Sequence, residues 1–354
     1  MKTFHCDKCN QQVFFENTFC FSCNSTLGYV PEQRSISAFE QNADGTWGSL
    51  NAAIAGAVFK KCRNYAQQSV CNWMLNANDT EDLCASCQLT EVIPNLTSDK
   101  NELLWQRLES AKRRLLYSLW SLQLEPISKK QDQENGLQFF FLEDGAGTEK
   151  VMTGHDNGVI TINIEEADAV ERERHRDQMG EPYRTLLGHF RHESGHYYFD
   201  RLIANTNWLA PFRNLFGDER ADYSESLKRH YAEGARNDWE QAFVSAYASS
   251  HPWEDWAETW AHYLHMIDTL ETAQACGLSL APRKAAEPQL SSDQATLQIE
   301  GFDKTMNDWF ALSYVLNSLN RSVGMPDPYP FKLAPAVHQK LGFVHQVVQA
   351  CAQN

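Results

Sequence analysis

The sequence predicts an α+β protein in two parts: a small N-terminal region organised by cysteines, then a mostly helical domain carrying a small antiparallel sheet. Three observations carry this reading. Eight of the ten cysteines lie between positions 6 and 87. Two short runs rich in β-branched and aromatic residues, Gln138–Leu142 and Val159–Ile164, read as strands. Beyond Val170, apolar residues recur mostly at the spacing of amphipathic helices. The boundary falls after residue 98, giving regions 1–98 and 99–354.

The N-terminal region is read from its cysteines. Cys6-Asp-Lys-Cys9 and Cys20-Phe-Ser-Cys23 are CxxC pairs with ten residues between them. A CxxC turn brings two thiolates to one tetrahedral ion from the same side, and a second such turn completes the shell. The intervening Gln11–Thr18 segment, with Val13, Phe14 and Phe15, suits a short hairpin between the two turns. A second quartet is looser: Cys62, Cys71, then Cys84-Ala-Ser-Cys87. It fits the same ion if the chain between Cys62 and Cys71 folds back, with Asn64, Asn72 and Asn76 available for turns. Both quartets are expected to hold structural zinc. A closed four-thiolate site leaves no open position for chemistry, and the metal supplies folding energy to a unit too small for its own core. Cys276 and Cys351 read as plain buried thiols.

Charge and length exclude several classes. Thirty-one basic against 46 acidic residues give a net charge of −15, which argues against broad nucleic-acid or anionic-membrane binding. Residues 1–90 hold six Lys/Arg and eight Asp/Glu. The ribbon therefore carries no basic stripe and is expected to be structural or to face a protein partner. The longest apolar stretch, Ala52–Phe59, is too short to span a bilayer. The N-terminus lacks the charged-then-apolar layout of a signal peptide. A reducing, cytoplasmic setting is the expectation, with zinc sites in place of disulfides.

The larger region opens on a helix over Lys100–Leu124, where Leu103, Leu104, Leu108, Leu115, Leu116, Leu119 and Leu122 recur at helical spacing. Pro126 and the polar run Ser128–Asn135 form a loop. The two strands follow, separated by Gly145, Gly147, Gly154 and Gly158. The alternation in Val159–Ile164 suggests a strand with a free edge, where an extended peptide could add. Helices are then expected over 182–203, 219–232, 238–249, 252–274, 302–322 and 335–352, with a surface loop over 281–293.

The helix over 182–203 contains His192-Glu193-Ser194-Gly195-His196, an HExxH motif. The i,i+4 spacing puts both imidazoles on one helix face, where they can share a catalytic zinc, and places Glu193 to take a proton from an activated water. Two histidines need a third ligand if one position is to stay open. In Trp253-Glu254-Asp255-Trp256-Ala257-Glu258, Pro252 fits the first helical turn, so Glu254 and Glu258 project from one face. Glu254 is read as the metal ligand and Glu258 as a hydrogen-bond acceptor for a ligand imidazole. Glu219, in Gly217-Asp218-Glu219-Arg220, is the rival third ligand. His189 is read as packed or supporting. Asp200 can orient the His196 face or pair with Arg201. Tyr247 is the candidate donor to a developing oxyanion, with Tyr223, Tyr231 and His230 as weaker alternatives.

These residues together resemble a known group. HExxH with a downstream Glu254-to-Glu258 ExxAE pattern is similar to the gluzincin metallopeptidases, a likeness that implies Glu254 as third zinc ligand. A tyrosine seven residues before that glutamate resembles the lethal-factor-like branch. The N-terminal CxxC pairs joined to RHESGHYYFD, FGDERADY and HPWEDWAETWAHYLH resemble the bacterial putative zinc-binding metallopeptidases with an N-terminal zinc ribbon, over nearly the whole chain. The resemblance implies a zincin-like fold and a zinc-dependent peptide hydrolase. A ribbon-based adaptor with a vestigial zincin domain, or a zinc amidase acting on a small substrate, are the other readings that the residues leave open.

Overall fold

The computed structural model describes the chain apart from residues 146–149, 180–183, 283, 285, 286, 288, 292–300, 353 and 354. The N-terminal strands β1 (Phe4–His5) and β2 (Gln12–Val13) pair antiparallel. The first CxxC turn is the tip of this hairpin, closed by Cys6 N–H to Gln11 O at 2.9 Å and Asn10 N–H to Cys6 O at 2.8 Å. The second turn repeats this geometry with Cys20, Asn24 and Ser25. Asn10 and Asn24 both take φ near +57°, a left-handed conformation that asparagine tolerates through its short polar side chain. The expected hairpin between the two turns is thus displaced: the hairpin encloses the first turn.

An antiparallel sheet follows, in the order β3 (Thr26–Val30), β4 (Ser35–Gln41), β5 (Trp47–Ser49), β6 (Val58–Lys61) and β7 (Met74–Asn76). Helix α1 (Arg63–Gln68) lies between Cys62 and Cys71. It folds back the segment that made the second quartet look loose.

The next sheet is mixed, which corrects the expected antiparallel arrangement. Its order is β10 (Gly154–Asp156), β11 (Val159–Asn163), β9 (Gln138–Leu142) and β8 (Thr90–Val92). Only β10 and β11 run antiparallel; β11–β9 and β9–β8 are parallel. The reason is connectivity. Helix α2 (Asp99–Ser121) carries the chain from β8 back to β9, a crossover that makes neighbouring strands parallel. The hairpin β10–β11 likewise returns β11 alongside β9 in the same direction. The Val159–Ile164 segment is therefore internal, with β10 as the edge on its side and β8 as the opposite edge. Phe139, Phe141, Ile160 and Ile162 are fully buried, and both phenylalanines pack on Phe190.

Helices α3 (Ala169–Met179), α4 (Leu186–Leu202), α5 (Leu209–Phe216), α6 (Tyr223–Glu233), α7 (Trp239–Ala242), α8 (Pro252–Ala275), α9 (Phe302–Ser322) and α10 (Pro335–Ala352) complete the described chain. The helix expected over 182–203 begins at Leu186, and positions 182 and 183 lie outside the described residues. The one expected over 238–249 ends at Ala242 and is followed by a short 3₁₀ turn at Tyr247–Ser249. The loop expected over 281–293 falls partly outside the described residues. Cys276 is exposed and Cys351 half-buried, so neither is the fully buried thiol expected. Among the described residues, no helix is long and apolar enough to cross a membrane.

The site is set by the crossing of α4 on α8. Gly195 makes this close approach possible, because a Cβ there would lie 2.9 Å from Ala257 Cα. Two buried tryptophans of α8 brace the same crossing: Trp256 Nε1 donates to Gly195 O at 2.8 Å and Trp260 Nε1 to Ser194 Oγ at 3.1 Å.

Candidate metal centre

Helix α4 starts at Thr185, whose hydroxyl accepts from Gly188 N–H at 3.0 Å, and then buries both HExxH imidazoles against α8. Helix α8 starts at His251, whose side chain accepts from Trp253 N–H, with Pro252 in the first turn. The carboxylate of Glu254 is thereby delivered to the α4 face. One ligand atom each from His192, His196 and Glu254 lie within 4.8 Å of one another. His192 Nε2 is 3.2 Å from His196 Nε2 and 3.0 Å from a Glu254 Oε2 that has no hydrogen-bond partner; His196 Nε2 is 3.5 Å from it.

These separations test the fit to an ion. Zinc–ligand bonds of about 2.0–2.1 Å in tetrahedral directions put neighbouring N and O ligands roughly 3.3 Å apart. The three atoms match that spacing, and an orphaned oxygen buried to 1% exposure is otherwise costly. The cysteine clusters pass the equivalent test. Cys6–Cys23 and Cys9–Cys20 sulfurs are 3.6 Å apart and Cys71–Cys84 3.7 Å, against roughly 3.8 Å for thiolates at about 2.3 Å from one zinc. The second quartet also receives backbone donors at 3.4 Å, Trp73 N–H on Cys71 and Cys84 N–H on Cys62.

Around the histidines the neighbours are specific. Glu258 Oε1 sits 2.8 Å from His192 Nδ1, and its other oxygen accepts from Ser245 Oγ at 2.6 Å. That arrangement fixes the imidazole with Nε2 turned to the cluster. Tyr223 donates to Glu254 Oε1 at 2.6 Å. The Tyr247 ring lies 6.0 Å from that of His192. Burial, then the nearby Glu254 charge, hold both phenols protonated well above their ordinary range. Glu193 is buried beside the histidines with Oε2 unpartnered, and burial pushes its carboxyl up.

The remaining sequence candidates are placed elsewhere. Glu219 is gripped by Arg213, with Nε to Oε2 at 2.9 Å and Nη2 to Oε1 at 2.5 Å, and is not part of the cluster. His189 lies 3.7 Å from Glu166. Asp200 is exposed and makes no hydrogen bond or ion pair among the described residues, while Arg201 pairs with Asp132 at 2.8 Å. His196 Nδ1 has no hydrogen-bond partner among the described residues. Tyr231 is exposed, and the His230 ring is 5.9 Å from Tyr247.

Sequence reasoning missed three neighbours. Trp253 packs its ring 3.9 Å from that of His196. His155, on edge strand β10, stacks on His196 at 6.2 Å. Ser245 holds Glu258. Trp253 was visible one residue before Glu254 but is indistinguishable from core by type; His155 and Ser245 carry no spacing signal at all.

Comparison with known proteins agrees with this geometry. Residues 101–347 match the family described as "Putative zinc-binding metallo-peptidase", and residues 3–98 match a zinc-ribbon domain. The chain is 43% identical over 355 residues to an uncharacterized protein of Mycobacterium bovis and to uncharacterized proteins of two Mycobacterium tuberculosis strains, covering 100% of this chain and 97% of each relative. No solved structure matches.

Proposed function

This chain belongs to the putative zinc-binding metallo-peptidase family, and from that premise we propose that it is a zinc-dependent peptide hydrolase with Glu193 as general base. One observation carries the reading: an unpartnered, buried Glu193 carboxylate beside a three-ligand cluster whose spacing suits one zinc. His192, His196 and Glu254 would hold the catalytic ion, and the two cysteine quartets a structural zinc each. Zinc at such a site supplies a Lewis acid that draws the pKa of water towards neutrality.

The protein's own groups then divide the remaining work. Glu193 takes the proton from the attacking water and returns it to the leaving amine. Tyr247 and Tyr223, kept protonated, are donors for the developing oxyanion. Glu258 and Ser245 keep His192 in one tautomer and orientation. Strand β10, an edge with one residue on either side of His155, offers main-chain groups to an extended peptide. Exposed Phe14 and Phe21 on the ribbon support a protein-facing role for that region.

The test is Glu193→Gln. The variant is expected to keep its full zinc content and lose peptide hydrolysis by about 100-fold or more. Full activity in Glu193→Gln would end the reading.

A further inference from the structure

Helix α8 is capped by a residue outside the favoured set. Asn, Asp, Ser and Thr are the usual caps, whereas here the cap is His251, 3% exposed and engaged at both ring nitrogens. Nδ1 accepts from Trp253 N–H at 3.1 Å, and Nε2 lies 3.0 Å from Ala221 O. The partners fix the tautomer. An amide N–H only donates and a carbonyl only accepts, so Nδ1 presents its lone pair and Nε2 carries the hydrogen. Resting on the zinc hydrolase reading, we propose that His251 is a positioning residue of the metal centre, acting through Tyr223 on Glu254.

The chain of contacts is short. After Ala221 comes Asp222, which caps α6 by accepting from Glu225 N–H at 3.0 Å, and then Tyr223, the first residue of that helix. The bond from Nε2–H to Ala221 O therefore ties the start of α6 to the start of α8. The His251 ring also packs edge-on against that of Tyr223 at 5.3 Å, and Tyr223 against Trp253 at 5.7 Å. Held between them, Tyr223 donates to Glu254 Oε1 at 2.6 Å. Only Oε2 is left without a partner, and it is the oxygen that faces His192 and His196. A carboxylate with one oxygen engaged offers a metal a single ligand atom, the number that leaves a catalytic site its open position.

The favoured caps cannot do both jobs. An aspartate would add a third carboxylate beside Glu254 and Asp255 in the first turn of α8, and has no hydrogen for Ala221 O. Serine and asparagine can cap, but their side chains are too short to reach Ala221 as well. An imidazole, with an acceptor and a donor on opposite sides of a rigid ring, serves both partners at once.

The experiment separates the two nitrogens in the full chain. His251→Asn keeps an acceptor for Trp253 N–H and loses the reach to Ala221; His251→Gln keeps a donor at the reach of Nε2. Affinity for the most labile zinc is measured by chelator competition in wild type, both variants, Tyr223→Phe, and the double variant His251→Asn with Tyr223→Phe. Circular dichroism and retention of the two cysteine-bound zincs report the fold, and His251→Ser, another cap without the second donor, replaces His251→Asn if that variant does not fold. Tyr223→Phe is expected to weaken the labile zinc by about 10–100-fold. His251→Asn is expected to weaken it by at least ~3-fold, as for one lost hydrogen bond, with His251→Gln closer to wild type. In the Tyr223→Phe background, His251→Asn is expected to have no further effect, because residues acting through one contact are not additive. Unchanged affinity in His251→Asn, or the same loss with and without Tyr223, overturns the proposal. The affinities are read without substrate, so a coupled cycle in a protein that cleaves no peptide ends the hydrolase reading and leaves the positioning role. Peptide cleavage with an uncoupled cycle does the reverse.

Discussion

Replacing Gly195 by alanine is expected to cost the catalytic zinc while sparing the fold. The added Cβ would stand 2.9 Å from Ala257 Cα, 3.2 Å from Trp260 Cδ1 and 3.3 Å from Ala257 O. Ordinary carbon–carbon contact begins near 3.5 Å, so α4 and α8 must part by about 0.6 Å. Overpacking of this kind costs about 1–3 kcal/mol. Removing a helical glycine returns about 1 kcal/mol, so the net loss of stability is about 0–2 kcal/mol. The metal site has no such offset. His192 and His196 ride on α4 and Glu254 on α8, and metal–ligand distances tolerate only about ±0.2 Å. Zinc affinity at that site is expected to fall by at least ~10-fold, with both cysteine sites unaffected. The assay is competition with a chromogenic chelator, counting the zinc released first, alongside circular dichroism for the fold. If Gly195→Ala holds its most labile zinc as tightly as wild type, the helix crossing does not set the ligand geometry.

Further outcomes follow from named contacts. Glu258→Ala removes the acceptor on His192 Nδ1 and is expected to weaken catalytic zinc by about 10–100-fold, read by the same competition; unchanged affinity would show that Glu258 does not orient the ligand. Cys71→Ser, in a fully buried quartet, is expected to release one zinc per chain and to lower the melting temperature; an unchanged zinc count would refute metal there. His262 is buried, and burial holds its imidazole down to about 4 from an ordinary 6.5. Its unfolded form binds the extra proton, so its contribution is complete above pH 6.5 and is lost as pH falls towards 4. Urea unfolding of wild type against His262→Gln, which keeps an acceptor for Tyr329, is expected to show a pH slope smaller by up to ~1.4 kcal/mol per unit in the variant; equal slopes between pH 4 and 6.5 would contradict this.

The helical half of the fold was legible because its elements are long. The strand pair Gln138–Leu142 and Val159–Asn163, helix α8 and helix α10 fall within a residue or so of their expected bounds. The five-stranded N-terminal sheet was not legible. Strands such as Trp47–Ser49 and Met74–Asn76 are three residues long, too short for alternation to stand out from a loop. Sheet direction was misread for a different reason: strand β8 lies before α2, and no local pattern announces that it will join β9. At the site, spacing gave His192, His196, Glu254 and Glu258 their common face, because i,i+4 on a helix is geometry in one dimension. Asp200 follows His196 by the same spacing, yet it makes no hydrogen bond or ion pair among the described residues and senses His196 only through its charge. The choice between Glu254 and Glu219 needed the third dimension, where Arg213 occupies Glu219.

Zinc counted per chain in three purified proteins tests the account most directly. Wild type is expected to hold three zincs and Glu219→Ala three, while Glu254→Ala is expected to hold two and to have lost peptide hydrolysis. Three zincs retained in Glu254→Ala, or a loss confined to Glu219→Ala, would contradict the assignment of the catalytic site to His192, His196 and Glu254.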